Sequence, residues 1–223
     1  MELIEYPDRE ALALGLAGRL ASELAETVRM QGAASFSVPG GSTPGPVFDT
    51  LSGIDLPWDH IAVFLNDERW VPEDSPRSNT RLLRERLLRG PAHRARLVPL
   101  YAPAAAPEPM LQALADGLAP HLPISVLLLG MGADMHTASL FPGADHLAEA
   151  LAADAPPLMA LRAETAGEPR ITLTARVLRD AMHIHILITG QDKREALARA
   201  QTLPPELAPV RAVLDHATVH WAE

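Results

Sequence analysis

Asp134 and His136 stand two residues apart on a Gly-rich turn. The turn ends the most apolar run of the chain, LLLGMGADMHTASLFPG (residues 127–143). A carboxylate beside an imidazole, on a turn leaving a buried strand, is how a fold presents a base and its orienting group to a ligand. The same spacing also suits a plain strand-to-helix turn whose histidine only caps the helix. Read alone, the segment leaves both open.

Three further groups of residues bear on the choice. In VPGGSTPG (residues 38–45) two glycines let the main chain approach a ligand, and Ser42 and Thr43 offer hydroxyls. Pro44 suits the first position of a helix. With the N–H groups exposed at a helix start, Gly41, Ser42 and Thr43 form a candidate phosphate cradle. The segment is not a Walker A loop, which ends Gly-Lys-Ser/Thr. Nor is it a nucleophile elbow, since Pro44 stands where G-x-S-x-G needs glycine. An ordinary Gly-rich turn with a threonine cap is the alternative.

The second group, NDERWVPEDSPRSN (residues 66–79), puts Asp67, Glu68, Arg69, Arg77 and Asn79 at and beyond a strand end. Arg69 and Arg77 either bind an anion or pair with those carboxylates. The third is Arg170, which opens RITLT, with Lys193, which follows TGQD in the first turn of a helix. Lys193 is the one lysine among 19 basic residues. A cation there opposes the helix macrodipole, and a bound phosphate would resolve the conflict. His183 and His185 share a strand face with no carboxylate near them in sequence, so they read as core-edge residues. No histidine spacing points to a metal.

The elements that must hold these residues alternate between strand and helix. PDREALALGLAGRLASELAETVRMQG has helical periodicity with a Pro-Asp start and a Gly stop. AASFSV, HIAVFLNDE, RLVPLY, ISVLLLG, APPLMALRA, PRITLT and MHIHILITG read as strands or strand ends. NTRLLRERLLRG, PEPMLQALADGLAPHL, TARVLRDA and QDKREALARAQT read as helices, and the tail supplies a last short helix and strand. Such alternation predicts an α/β fold: a doubly wound, mainly parallel sheet with helices on both faces. Ligands of such sheets sit beyond the carboxyl ends of the strands, where the residues named above fall.

The chain has 223 residues, enough for a large core, and shows no repeat or linker, so one domain over 1–223 is expected. The absence of cysteine excludes disulfides, thiolate catalysis and Cys-ligated metal. No segment has transmembrane length and the N-terminus lacks signal-peptide order, which predicts a cytoplasmic protein. A net charge of −9 without a basic run argues against nucleic-acid or anionic-membrane binding. An anionic substrate must then be held by a few local cations.

Taken in order, SVPGGSTP, NDER, GMGADMHTASLFPG, PRITLT and TGQDK resemble the 6-phosphogluconolactonases of the glucosamine-6-phosphate isomerase/6-phosphogluconolactonase family. The likeness spans residues 39–193, and HTASLFPG is its most specific part. It implies a Rossmann-like α/β fold and hydrolysis of a sugar-phosphate lactone in the oxidative pentose phosphate pathway, with no cofactor or metal. The implied partner is that small molecule, and a monomer or weak homo-oligomer is expected. His136 would be the base and Asp134 its orienter. Gly41, Ser42 and Thr43 would contact the phosphate, and Lys193 and Arg170 would clamp it. Backbone amides of the Gly-rich turn, residues 130–132, are candidate oxyanion donors on chemical grounds. Met135 departs from the Gly that many members carry between Asp and His. PVRAVL (residues 209–214) departs from a P-A-S-x-L pattern and makes Arg211 a further phosphate candidate. The isomerases follow their His with Asn-Glu-Pro, whereas this chain has Ser139, Leu140, Phe141 and Pro142. A non-catalytic sugar-phosphate sensor would have no need of the Asp–His pair.

Overall fold

The computed structural model describes residues 1–164 and 166–223. The first half of the chain forms β1 (Glu2–Glu5), α1 (Arg9–Gln31), β2 (Ala34–Val38), α2 (Gly45–Ser52), β3 (Ile61–Leu65), β4 (Asp67–Arg69), α3 (Asn79–Arg86) and β5 (Arg96–Leu97). After them come α4 (Leu111–Leu118), β6 (Val126–Gly130), α5 (Leu147–Leu151), β7 (Leu158–Leu161) and β8 (Arg170–Leu173). The chain closes with α6 (Ala175–Arg179), β9 (His183–Thr189), α7 (Gln191–Ala200), α8 (Arg211–Leu214) and β10 (Ala217–Ala222).

Seven strands form one sheet in the order β1-β10-β9-β6-β2-β3-β5, every neighbouring pair parallel. The apolar run expected to be central is central: β6 lies fourth of the seven. Residues on both faces of β2, β3 and β6 are buried, so this sheet is covered on either side, and near-continuous apolar runs are what such strands require. From β2 the chain winds outward through β3 and β5, then returns to β6 and winds the other way through β9 and β10. The reversal falls between β2 and β6, where an open α/β sheet leaves a crevice.

The stretch HIAVFLNDE, read as one strand, divides at Asn66. Residues 61–65 stay in the large sheet, and β4 pairs antiparallel with β8, itself antiparallel to β7, in a separate three-stranded sheet. Asn66 is the joint. Its N–H reaches Val38 O of β2 (2.9 Å), its side-chain amide reaches Leu128 O of β6 (2.8 Å), and its carbonyl accepts from Leu173 N of β8 (2.9 Å). Those three bonds pin a fully buried residue between the two sheets, although its Oδ1 has no partner among the described residues, and no strand periodicity signals such a joint.

Helix α1 starts as its sequence demands, with Asp8 accepting from Ala11 N at 2.7 Å, and stops at Gly32 with φ 82°. It buries Leu12, Leu16, Leu20 and Leu24. No helix of the described residues is both long and apolar enough to cross a membrane. β1 and α5 have no counterpart in the sequence reading, because β1 is an exposed edge of four residues and α5 a single short turn.

Glu23 of α1 supplies the carboxylate that His185 lacks in sequence. Its Oε2 lies 2.7 Å from His185 Nε2, His185 Nδ1 lies 3.0 Å from His220 Nε2, and His220 Nδ1 lies 2.9 Å from Tyr6 Oη. One proton order satisfies every link with both rings neutral: Tyr6 donates to His220, His220 to His185, and His185 to the carboxylate. Burial holds the His220 pKa down at about 3. Glu23 is lowered despite the desolvation of its own partial burial, because the hydrogen bond from His185 favours the carboxylate.

Candidate active site

A cleft opens at the carboxyl ends of β2 and β6, and His136 lines both of its lobes. One lobe, about 250 Å³, is walled by Pro39, Gly40, Asp67, Arg69, Asn79 and Arg170 among others. The adjoining lobe, about 190 Å³, is walled by Gly41, Thr43, Met131, Gly132 and Lys193 among others. The two share Pro39, Gly40, Gly41, Gly130 and His136.

The turn that delivers His136 is tightly specified. Gly132 N donates to His136 O (3.0 Å), Met135 N to Gly132 O (2.9 Å), and Val210 N to Met135 O (3.1 Å). Met135 takes φ 67° and Ala138 φ 49°, left-handed values that cost a non-glycine residue about 1 kcal/mol. The glycine that the resemblance expects at 135 would answer that φ; Met135 accepts the strain and packs its half-buried side chain against the core. Thr137 and Ser139 are fully buried. Thr137 Oγ1 donates back to Gly130 O (2.9 Å), and Ser139 Oγ donates to Asp67 Oδ2 (2.5 Å).

His136 Nδ1 lies 2.5 Å from Asp134 Oδ1, and the same oxygen accepts from His136 N at 3.3 Å. The hydrogen bond from the imidazole is the main cause that lowers the Asp134 pKa, so the carboxylate is ionised and can only accept. The proton therefore sits on Nδ1, and Nε2 carries the free lone pair. The ring is held between Gly132 and Phe141, whose centroid is 4.3 Å away. His136 is 30 % exposed and Asp134 half exposed, so water reaches the pair.

In the larger lobe the expected residues form one network. Arg69 Nη1 donates to Asn79 Oδ1 (2.9 Å) and to Arg77 O (2.7 Å), and Asn79 Nδ2 donates to Asp67 O (3.1 Å). Glu68 is not a ligand candidate: fully buried, it accepts from Arg69 N, Asn79 N, Thr80 N, Thr80 Oγ1 and Ser78 Oγ. It anchors the start of α3, where the helix dipole favours an anion. Arg170 Nη1 lies 3.8 Å from Asp67 Oδ2, and its guanidinium stands 5.7 Å from the Phe141 ring centroid. Desolvation lowers the Arg170 pKa. The Nε atoms of Arg69 and Arg170 are buried with no acceptor among the described residues.

The smaller lobe is the candidate cradle. Gly41 has φ 85°, and among the described residues no protein acceptor takes the N–H of Gly40, Gly41, Ser42 or Thr43. Successive free amides in such a turn form an anion-binding concavity. No carboxylate of the described residues pairs with Lys193.

Several expected residues lie elsewhere. Arg77 turns outward and pairs with Glu168, and Arg211 pairs with Asp215 at 2.6 Å. Ser42 lines a neighbouring hollow, not the Lys193 lobe. Arg170 and Lys193 flank His136 from different lobes and do not meet as one clamp. The Gly132 amide, expected as an oxyanion donor, is consumed by His136 O. Sequence reasoning missed Ser139, Phe141 and the steric role of Gly132; only the hydroxyls two apart at Thr137 and Ser139, inside an otherwise apolar run, signal buried fastening.

The family model described as glucosamine-6-phosphate isomerases/6-phosphogluconolactonase matches residues 7–221. A 6-phosphogluconolactonase of Mesorhizobium japonicum is 44 % identical, covering 97 % of this chain and 93 % of the relative. One from Pseudomonas aeruginosa is 42 % identical, covering 94 % and 88 %. The crystal structure of a 6-phosphogluconolactonase from Shewanella baltica superposes with a TM-score of 0.96 at 34 % identity, covering 100 % of this chain and 98 % of that one. With that fold, that cleft and those relatives, the chain belongs to the glucosamine-6-phosphate isomerase/6-phosphogluconolactonase family.

Proposed function

We propose that this protein hydrolyses 6-phospho-D-glucono-1,5-lactone to 6-phosphogluconate, the second step of the oxidative pentose phosphate pathway. The observation that carries the reading is the His136 imidazole, fixed by Asp134 through Nδ1, at the junction of two lobes bearing free amides and cations. Nε2 takes a proton from water as the water oxygen attacks the lactone carbonyl. The bond between that carbon and the ring oxygen then breaks, and the imidazolium returns its proton to the departing oxygen. Asp134 stabilises the imidazolium in between and keeps the tautomer correct.

Gly41, Thr43 and Lys193 hold the phosphate, and Ser42 closes the cradle from the adjoining hollow. Asp67, Arg69 and Asn79 bond the sugar hydroxyls, while Arg170 adds positive charge on the far side of His136, facing the carboxylate that the reaction creates. Arg77 supports Arg69 through its carbonyl. Positioning of an already reactive ester makes modest acid–base help sufficient. The protein works as a single domain over 1–223, as a monomer or weak homo-oligomer, and a phosphorylated metabolite implies a cytoplasmic place of work.

Isomerase chemistry is disfavoured. It needs a further carboxylate after the histidine, and the side chain against His136 there is the Phe141 ring. The deciding measurement is ring opening of 6-phosphogluconolactone followed by NMR, with the spontaneous rate subtracted. Acceleration by catalytic amounts of protein is expected; ligand binding without acceleration would reduce the protein to a sensor.

A further inference from the structure

Beside the Lys193 lobe lies a hollow of about 200 Å³, lined by Arg9, Ser42, Thr43, Leu187 and Thr189 among others. It meets the Lys193 lobe at Thr43 and Leu187, which line both. Arg9 enters as the first residue of α1. Its Nε donates to the main-chain oxygen of Glu223 at 2.7 Å, which fixes the guanidinium and leaves both terminal nitrogens for other acceptors. Among the described residues no side-chain carboxylate pairs with it. The hydroxyl residues Ser42, Thr43 and Thr189 line the same hollow.

Most arginines here are committed. Arg77, Arg81, Arg84, Arg86, Arg89 and Arg194 all hold carboxylates. Arg9 instead bonds a main-chain oxygen and shares its hollow with Ser42, Thr43 and Thr189, next to a lysine that no carboxylate of the described residues pairs with. A guanidinium fork, three hydroxyls and an ammonium around one threonine match a tetrahedral oxyanion, which presents several acceptors in different directions. A carboxylate-free wall also avoids the repulsion that Asp67 would impose in the larger lobe.

We propose that Arg9 is a specificity-determining residue: it closes the phosphate site from the α1 side, so that Arg9 and Lys193 grip the substrate phosphate from either side of Thr43. The inference rests on the hydrolase reading for the identity of the substrate, though not for the anion site itself. The competing role is a latch, in which Arg9 serves only to tie α1 to the end of β10. A latch would change thermal stability and leave phosphate recognition alone.

The test uses Arg9→Gln and Arg9→Lys in the full chain, at a temperature where both are folded. For Arg9→Gln, KM for 6-phosphogluconolactone should rise about tenfold, the loss typical of one charge-assisted hydrogen bond. Turnover number should hold within about twofold, and kcat/KM for unphosphorylated glucono-1,5-lactone should not change. The Kd for 6-phosphogluconate by calorimetry should weaken by the same factor, and Arg9→Lys should recover part of it. An unchanged Kd, or equal losses on phosphorylated and unphosphorylated ligands, overturns the assignment. The two readings separate cleanly. Turnover by the unaltered protein with an unchanged Arg9→Gln affinity sinks Arg9 alone. A tenfold affinity loss in a protein that never turns over the lactone sinks hydrolysis and leaves the Arg9 site standing.

Discussion

Gly132 has no room for a side chain because His136 occupies the space: a Cβ there would overlap both Nδ1 and Cε1 of the imidazole and Asp134 Oδ1. The glycine is therefore the floor on which the pair rests. Gly132→Ala should cut kcat about 10²-fold, the contribution typical of a positioned base, because the ring must rotate off Asp134 to admit the methyl. Steady-state kinetics beside a melting curve checks this. A variant that keeps full turnover would show that the ring has no need of that floor.

Replacing the base itself is the direct test. His136→Ala should cost about 10²-fold or more in kcat with little change in KM. Asp134→Asn should cost at least about tenfold, because an amide can donate to Nδ1 and so favours the wrong tautomer. An Asp134→Asn enzyme with unaltered kcat would remove the carboxylate from the mechanism.

Lys193 predicts a split between substrates. Lys193→Ala should raise KM for 6-phosphogluconolactone about tenfold or more, as expected for a lost charge-assisted contact. Its kcat/KM for glucono-1,5-lactone should stay within about twofold. Matched kinetics on the two lactones decide it, and equal losses on both would place the phosphate elsewhere.

Acid should destabilise the protein through His220. His220 is held at about 3 in the fold, below its ordinary 6.5, so the unfolded chain binds more protons between those values. Stability is then fully present above pH 6.5 and falls as the pH drops through the window below it. Between pH 7 and pH 5 the loss should be about 2 kcal/mol, from roughly 1.4 kcal/mol per pH unit. Glu23, whose pKa is lowered, adds its own loss only below the ordinary carboxylate range. Urea unfolding at pH 7, 6 and 5 checks the slope, and a flat profile would show that His220 is not kept neutral.

Periodicity made much of this architecture readable. The 3.6-residue pattern of α1, the apolar run of β6 and the glycine punctuation after β2 each carry their own local cause. So do Asp134 and His136, whose spacing and hydrogen bond lie within one turn. What stayed hidden is long-range. Asn66 looks like one more residue of a strand, yet it ends β3. Arg77 looks equivalent to Arg69, yet Glu168, 91 positions away, claims it. Ser42 looks like a partner of Lys193, yet it lines the hollow that Arg9 enters. Met135 sits at φ 67° where glycine is easiest, and nothing local in the sequence reveals that Val210 braces its carbonyl.

Asn66 also divides the labour of the cleft. Asp67, Arg69 and Arg170 ride on the small antiparallel sheet, whereas Gly41, His136 and Lys193 belong to turns and a helix that follow strands of the large one. The seam between them is only a few hydrogen bonds wide, chiefly those of Asn66 and the Ser139–Asp67 contact. For an engineer this makes the seam a dial. Substitutions at buried positions that never touch substrate would change the spacing between the polyol wall and the catalytic wall. A longer or shorter sugar acid could then be admitted with the reacting residues left as they are.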